Sequence, residues 1–277
     1  MKLILLMLGV LVVILFAAQV LLASQFTAKI ADLDQRLAQA QPRKSVDTAG
    51  IPEVIRAFAL RNGARQGGPP VIAMAQSVEM RLSPDQPFFP LSASQLSTSG
   101  RPGFVWQATG NMGGFIPLQV VDSYVGGAGD LEVRILCSIT VAKASGPETA
   151  VGEAMRFLAE LPWNPDAILN AEGLEWRQID DQTVEVSTNT EGGIASVTLL
   201  LDAAGDIVGA RAQNRPRSGD TPAPWLGRFR DYAQIGAYRF PRFGEVAWDL
   251  PGGEFVYWRG EISRVEPAAG TLPATEE

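Results

Sequence analysis

From Val71 onward, short apolar runs alternate with turn-forming residues, and this alternation restricts the possible fold more than any other feature. The runs are rich in β-branched, aromatic and leucine residues, and glycine and proline separate them, as in GGAG at 126–129 and PGG at 251–253. Parallel strands need long crossover segments, usually helices, and the sequence has no such strand–helix alternation. The pattern predicts about ten to twelve antiparallel strands.

A helical stretch divides these strands into two groups. Residues 145–163 carry apolar side chains at helical spacing, and a second, shorter helix is predicted within 164–173. A sheet that curls needs something to fill its concave side, and helices between two meanders can supply it. We therefore predict an α+β fold, mostly antiparallel β: a curved sheet or open barrel of two meanders wrapped around helices.

The N-terminus has the composition of a membrane segment, so one transmembrane helix is predicted to precede this domain. From Leu3 to Ala23 the only polar side chain is that of Gln19, and about twenty apolar helical residues span a bilayer core. A cleaved signal peptide is the rival interpretation of residues 1–25. We expect a single-pass protein of the cell membrane, although basic residues on both flanks leave the orientation open; the extracytoplasmic side is preferred for the soluble domain.

The rest of the chain divides into a stalk, one domain and a tail. Residues 26–50 are predicted to form a helical stalk or linker, in which Ile30, Leu33 and Leu37 could also pair two chains as a short coiled coil. Residues 51–266 are predicted to form a single β-rich domain. The small, polar residues 267–277 are predicted to be disordered.

Composition excludes several chemistries. The chain has no histidine and one cysteine, Cys137, so catalytic triads with histidine, cysteine–histidine pairs, histidine-containing zinc or haem sites and iron–sulfur sites are ruled out. We expect no cofactor and no metal. Enzyme activity is disfavoured but left open, because only catalysis based on histidine or cysteine is excluded. The apolar run around Cys137 predicts that this residue is buried. A net charge of -7 argues against nucleic acid as a partner.

The predicted hairpins assign faces to several polar residues. Folding the first hairpin about residues 127–128 sets Asp122 near Arg134 and Tyr124 near Glu132. These are the cross-strand partners of an ordinary sheet. Alternatively, Asp122 and Tyr124 line the concave side as polar groups of a pocket.

The second hairpin offers the same choice. Folding about Gly252 sets Glu245 opposite Arg259, where the two could form the ion pair of an ordinary sheet. Alternatively, Glu245 lines the pocket. Trp106 and Trp248 lie in strand runs, where tryptophan commonly belongs to the core. Several aromatic residues on one curled sheet could also line an apolar cavity.

Acidic residues recur along the helix of 145–163. Ser145 and Glu148 fit a capping box. Glu153, Arg156 and Glu160 lie at ion-pair spacing on the face opposite the apolar stripe, where they are expected to face water. Glu153 and Arg156 are retained as polar groups at the mouth of a pocket.

These segments resemble an uncharacterised bacterial family, a domain of unknown function whose members often carry membrane segments. The resemblance rests on PGFVWQA, VVDSYVGGAGDLE, GEAMRFLAELPWNPDAIL and GEVAWDLPGGEFVYW and covers roughly residues 52–265. It implies one domain and no assigned reaction. In architecture alone, the plan is similar to the open β-barrels of periplasmic lipoprotein and lipid carriers.

Three functions are compatible with this sequence. The leading hypothesis is a membrane-anchored cell-envelope protein that binds a lipid or other apolar ligand in a half-barrel cavity. A non-catalytic scaffold or interaction protein of the envelope is the first alternative, and a carboxylate-dependent hydrolase using Asp122, Glu153 and Glu245 is the second. The candidate ligand-binding residues are Trp106, Asp122, Tyr124, Glu153, Arg156, Glu245 and Trp248.

Overall fold

A computed structural model describes residues 2–39, 47–217 and 219–268. The helices are α1 (Lys2–Gln39), α2 (Glu53–Arg61), α3 (Pro147–Ala159) and α4 (Pro165–Asn170), with a 3-10 turn at Leu161–Trp163. The strands of the first group are β1 (Val71–Met80), β2 (Phe89–Thr98), β3 (Phe104–Met112), β4 (Ile116–Val125), β5 (Ala128–Ile135) and β6 (Ile139–Ser145). Those of the second group are β7 (Glu175–Asp180), β8 (Thr183–Thr190), β9 (Gly193–Leu201), β10 (Ile207–Arg217), β11 (Asp220–Ile235), β12 (Tyr238–Leu250) and β13 (Gly253–Pro267).

The strands form one open, curved antiparallel sheet, which confirms the predicted fold class. Its order is β6-β5-β4-β3-β2-β1-β13-β12-β11-β10-β9-β8-β7, thirteen strands within the described residues. The two meanders are therefore joined by the pairing of β1 with β13, the first and last strands of the domain. Edges remain at β6 and β7, so the sheet curls without closing.

The helices that follow β6 fill the inner, concave face of this sheet. Helix α3 contacts β4, β5 and β6 of the first meander and β8, β9 and β10 of the second. Trp163 extends this packing, since its ring lies 5.2 Å from that of Phe229 and 6.2 Å from that of Trp258. Gly244 makes room for the Trp163 indole, because a Cβ there would lie 2.6 Å from it.

The second half of α1 lies on the outer, convex face. Phe26, Leu33 and Leu37 are buried there in one apolar cluster with Val105, Val121 and Val125. The predicted stalk is thus helical as far as Gln39, and its apolar stripe contacts the sheet of its own chain. Dimerisation through this stripe stays a prediction, and it would require the helix to leave the sheet.

The hairpin between β4 and β5 has a different register from the predicted one. Its two-residue turn is formed by Gly126 and Gly127, with φ of 64° and 88°, and positive φ at both positions suits the twist of a hairpin. Asp122 consequently lies opposite Leu131 and Tyr124 opposite Gly129. The predicted proximity of these residues to Arg134 and Glu132 is wrong. In the second hairpin, Glu245 does lie opposite Arg259, as predicted.

Two local predictions are corrected, and one lies partly outside the described residues. Helix α3 is capped by Gly146 without a side-chain bond, so the capping box of Ser145 and Glu148 is wrong. Cys137 lies in the turn after β5 with φ of 62° and is partly exposed, whereas burial was expected. Of the tail predicted to be disordered, Pro267 belongs to β13, and residues 269–277 lie outside the described residues.

Candidate functional site

Helix α3 presents Glu153 and Arg156 to the sheet, as does Glu160 at its C-cap, and the prediction that these three residues face water is wrong. Glu153 is only 7% exposed, and the Arg156 and Glu160 side chains are each 14% exposed. The reason is that the two meanders curl around α3 from opposite sides, so a face that would be solvated on a surface helix is covered here. These residues form a polar cluster inside the domain.

Arg156 is the centre of this cluster. Its guanidinium donates to Asp122 Oδ2 at 2.6 Å, to Glu160 Oε1 at 2.8 Å and to Gln95 Oε1 at 3.2 Å. Its Cζ also lies 5.2 Å from the centre of the Trp106 ring. Burial lowers the pKa of Arg156, but the carboxylates of Glu160 and Asp122 outweigh it and raise the pKa overall.

Glu153 lies beside this pair in an unusual electrostatic setting. Burial first, and then the negative charge of Asp122, raise its pKa to about 8, against the opposing effect of Arg215 and Arg156. Its Oε1 is 3.6 Å from Arg215 Nη2. Glu153 Oε2 and Asp122 Oδ1 are both buried without a hydrogen-bond partner among the described residues. A proton on Glu153 donated to Asp122 would satisfy both oxygens, which agrees with the raised pKa of Glu153.

Aromatic rings close the cluster on the side of the second meander. The guanidinium of Arg215 lies 4.6 Å from the Trp225 ring centre, and Trp225 Nε1 donates to the Tyr257 hydroxyl at 3.0 Å. Tyr257 in turn stacks on Trp248 at 6.1 Å. The Arg156 and Asp122 side chains are still 14% and 13% exposed, so the cluster is mostly, but not completely, buried in the domain.

The structure brings together most, but not all, of the predicted ligand-binding residues. Trp106, Asp122, Glu153 and Arg156 meet beneath α3, as described above. Three others are distributed around them: Tyr124 is buried in the same core opposite Phe104, Trp248 lies at the edge of the aromatic group, and Glu245 lies on the outer face. There Glu245 pairs with Arg228 at 3.1 Å, because it alternates with the inward-facing Val246.

The carboxylates do not form a catalytic pair of the kind that glycoside hydrolases use. Asp122 is held by Arg156, the buried Glu153 faces Arg215, and Glu245 is on the other face of the sheet. Such an enzyme needs two acids flanking a substrate in an open cleft. Within the described residues, no group of three or more Cys, Asp or Glu side chains is arranged to hold a metal ion.

A second feature, a groove on the outer face, was not predicted from the sequence. It has a volume of about 1120 Å³ and crosses β3, β2, β1, β13 and β12 near one end of the sheet. Ser77, Ser92 and Thr109 are neighbours across its floor, and their small side chains leave a trough between bulkier ones. A pattern of small residues at matched registers could have indicated it, but the registers are not readable from the sequence.

The walls of this outer-face groove are mainly apolar, with charges at its rim. The apolar side chains along it are Leu82, Pro87, Phe88, Pro90, Met112 and Phe243, whereas the bordering Val78, Phe89 and Leu91 pack into the inner core. Arg259 lies 4.2 Å above the Phe88 ring and pairs with Glu79 at 2.8 Å. An aromatic wall with a few fixed charges suits an elongated apolar ligand that has a polar end.

Helix α1 is the one helix among the described residues that is long and apolar enough to cross a membrane. An N-terminal signal sequence has the same length and composition. The finding is consistent with the predicted membrane segment of residues 1–25.

Comparison with known proteins places the chain in a family. The model of DUF6544, a family of unknown function, matches residues 41–260, most of the chain. Among curated protein sequences, none matches.

Solved structures provide a comparison of the fold alone. The chain is similar to a LolA superfamily protein from Nitrosomonas europaea, with 11% identity, a TM-score of 0.45 and coverage of 77% of this chain and 93% of that one. It is similar to a putative outer membrane lipoprotein-sorting protein domain from Vibrio parahaemolyticus, with 11% identity, a TM-score of 0.47 and coverage of 79% and 93%. Lipoprotein LppX from Mycobacterium tuberculosis gives 11% identity, a TM-score of 0.26 and coverage of 80% and 100%. The resemblance to a family of unknown function that was expected from the sequence is confirmed by the match to DUF6544.

Proposed function

The chain belongs to the DUF6544 family of unknown function, and we propose that it is a membrane-anchored protein of the cell envelope that binds a lipid or other apolar ligand. The ligand site is the outer-face groove. In this proposal the first half of α1 is retained as a single transmembrane anchor, with the domain preferred on the extracytoplasmic side.

The observation that carries this proposal is the outer-face groove itself. Its volume of about 1120 Å³ is slightly above the range of about 300 to 1,000 Å³ for small-molecule sites. Phe88, Phe243 and Met112 offer the aromatic and thioether surface that hydrocarbon chains pack against. An acyl chain in the trough would cover apolar surface that water otherwise contacts, which is favourable by roughly 25 cal/mol per Å².

The proposed site differs from the half-barrel cavity expected from the sequence. That concave side is packed with α3, the 3-10 turn and α4. Except for Glu245 on the outer face, the residues expected to line it are core and polar-cluster residues. Opening a ligand cavity there would break the bonds that Arg156 makes with Asp122 and Glu160. The outer-face groove needs no such rearrangement.

Filling the trough tests the proposal. Ser92 is exposed on the floor of the groove, and Ser92→Phe places a ring where an acyl chain would lie. We expect native mass spectrometry of the full chain, released from lipid nanodiscs, to show one retained lipid for the wild type and a loss of at least ten-fold in the bound fraction for the variant.

A matched control separates this effect from a general effect on the sheet. Ser187 lies on β8 between the buried Val186 and Thr188, so it faces the same outer side as Ser92 but lies far from the groove. Ser187→Phe is expected to keep the lipid. Equal lipid retention by Ser92→Phe and the wild type, or no retained lipid in either, would contradict the proposed site, and the second result would favour the scaffold alternative.

A further inference from the structure

We propose that the turns at one end of the sheet insert into the bilayer interface and fix the domain against the membrane. This inference rests on the anchoring part of the proposed function. It assigns a lipid-contacting surface to the β3–β4 and β5–β6 turns, outside both the polar cluster and the outer-face groove. The partner is the lipid bilayer that holds the first half of α1.

The path of α1 over the sheet supports this surface. At its C-terminal end Leu37 packs near Gly103, beside the β2–β3 turn. Towards its N-terminus, Lys29 donates to Glu132 Oε2 at 2.8 Å and Arg134 Nη1 donates to the Leu22 carbonyl at 2.9 Å. The helix therefore runs along the strands and leaves the sheet at the end where β5 turns into β6.

The exit point is fixed by hydrogen bonds to the only polar side chain of the apolar segment. Gln19 Nε2 donates to the Leu136 carbonyl at 2.6 Å, and Ser138 Oγ donates to Gln19 Oε1 at 2.9 Å. A glutamine facing lipid would leave its amide unsatisfied, at a substantial cost. Here the β5–β6 turn satisfies the hydrogen bonds of the Gln19 amide. The turn and this part of the helix therefore lie at the same depth in the membrane.

Helix length sets that depth. A bilayer core of about 30 Å needs about twenty helical residues. Counted from Leu3, the core reaches Leu22, three residues beyond Gln19. At about 1.5 Å per residue, Gln19 and the turn bound to it lie roughly 4 to 5 Å inside the hydrocarbon boundary.

Exposed apolar side chains are concentrated at this end of the sheet. Phe115 in the β3–β4 turn is 79% exposed, Leu82 after β1 is 65% exposed, and Leu136 and Ile139 around the β5–β6 turn are 42% and 49% exposed. The two turns are tied together by the bond from Leu136 N to Pro117 O, at 2.9 Å. Single exposed apolar residues are ordinary, but a group beside an apolar helix end is typical of a membrane-contacting surface.

This docking also explains the position of the outer-face groove. The groove is lined by residues 86–90 and 112–114, which belong to the turns at the same end of the sheet. With the β3–β4 turn at the bilayer surface, the groove opens close to the lipid from which it would take its ligand.

The single cysteine of the chain allows a direct test, because Cys137 lies in the β5–β6 turn and is partly exposed. The full chain, with a nitroxide on Cys137, is placed in nanodiscs of phosphatidylcholine and phosphatidylglycerol. Power-saturation measurements then compare how often the nitroxide collides with oxygen and with a water-soluble nickel chelate. We expect the Cys137 label to favour oxygen, as a lipid-immersed site does.

Two further label positions, both in a Cys137→Ser background, complete the design. Phe115→Cys reports on the β3–β4 turn and is expected to favour oxygen as well. Ile194→Cys is the control: Ile194 is 67% exposed, and the neighbouring Gly192 abuts Pro147 at the start of α3, beside the end of the sheet opposite the α1 exit. Its label is expected to favour the nickel chelate.

The outcomes separate the two proposals. If the protein stays in the nanodiscs while the labels at 137 and 115 are as accessible to nickel as the label at 194, anchoring holds and docking is overturned. If the protein does not stay with the nanodiscs at all, the anchoring proposal fails and docking fails with it. Docking is supported only if the labels at 137 and 115 favour oxygen while the label at 194 favours the nickel chelate.

Discussion

Glu153 is an acidic residue buried next to another acid, Asp122, and this environment raises its pKa. The residue types of this cluster were identifiable from the sequence, since Trp106, Asp122, Glu153 and Arg156 were all candidates. Their environment was not, because the 3.6-residue period of a helix indicates an apolar and a polar face but not what covers the polar one. Here both meanders cover it.

The raised pKa of Glu153 predicts a specific dependence of stability on pH. The folded chain holds the proton up to about pH 8, whereas an unfolded glutamate releases it near pH 4.5. The stabilisation is therefore complete below pH 4.5, falls as the pH rises through this window and is lost above pH 8. One pKa unit corresponds to about 1.4 kcal/mol, so the total loss is on the order of several kcal/mol.

Glu153→Gln, which resembles the protonated acid, isolates this effect. Urea unfolding at pH 5, 6.5 and 8 should show a free energy of unfolding that falls with pH more steeply for the wild type than for the variant. Glu148→Gln, at an exposed acid in the first turn of the same helix, should follow the wild type. Parallel pH curves for the wild type and Glu153→Gln would mean that Glu153 is charged in the folded state.

At the scale of elements, α1 shows what a sequence pattern can and cannot specify. The helical spacing of Ile30, Leu33 and Leu37 predicted a helix beyond the membrane segment. An apolar stripe does not indicate which surface it packs against, however. A second copy of the chain would satisfy the pattern as well as a sheet does. Whether the helix packs on the sheet or on a second chain depends on Val105, Val121 and other outward-facing strand residues. The face that these residues occupy follows from the strand registers, and the turns set those registers.

Leu37 provides the test of this docking. It is 1% exposed, and Leu37→Asp would place a charge in the apolar contact with the sheet, which is strongly unfavourable. We expect hydrogen exchange of residues 26–39 to rise by at least ten-fold while β3 and β4 keep their protection.

Gln35→Asp is the control for Leu37→Asp, because Gln35 is exposed on the same helix and should leave exchange unchanged. If Leu37→Asp instead raises exchange throughout β3 and β4, α1 is an integral part of the core. Unchanged exchange in residues 26–39 would show that the helix does not depend on this contact.

For the whole molecule, local patterns predicted the antiparallel meanders, the helical insert and the membrane segment. They did not predict the pairing of β1 with β13, since contacts between chain ends leave no trace in local periodicity. The outer-face groove depends on that pairing, because its floor and rim come from both meanders. It is therefore a property of the assembled sheet that no single segment of sequence shows.

The proposed function requires a lipid in this groove while α1 holds the chain in the membrane. Photo-crosslinking in nanodiscs that contain a phospholipid with a diazirine on its acyl chain, followed by peptide mapping, tests it most directly. We predict adducts on residues 81–90 and 109–114 as well as on the apolar half of α1, with the former lost in Ser92→Phe and kept in Ser187→Phe. Adducts confined to α1 would show that the chain is only anchored, and would contradict the claim.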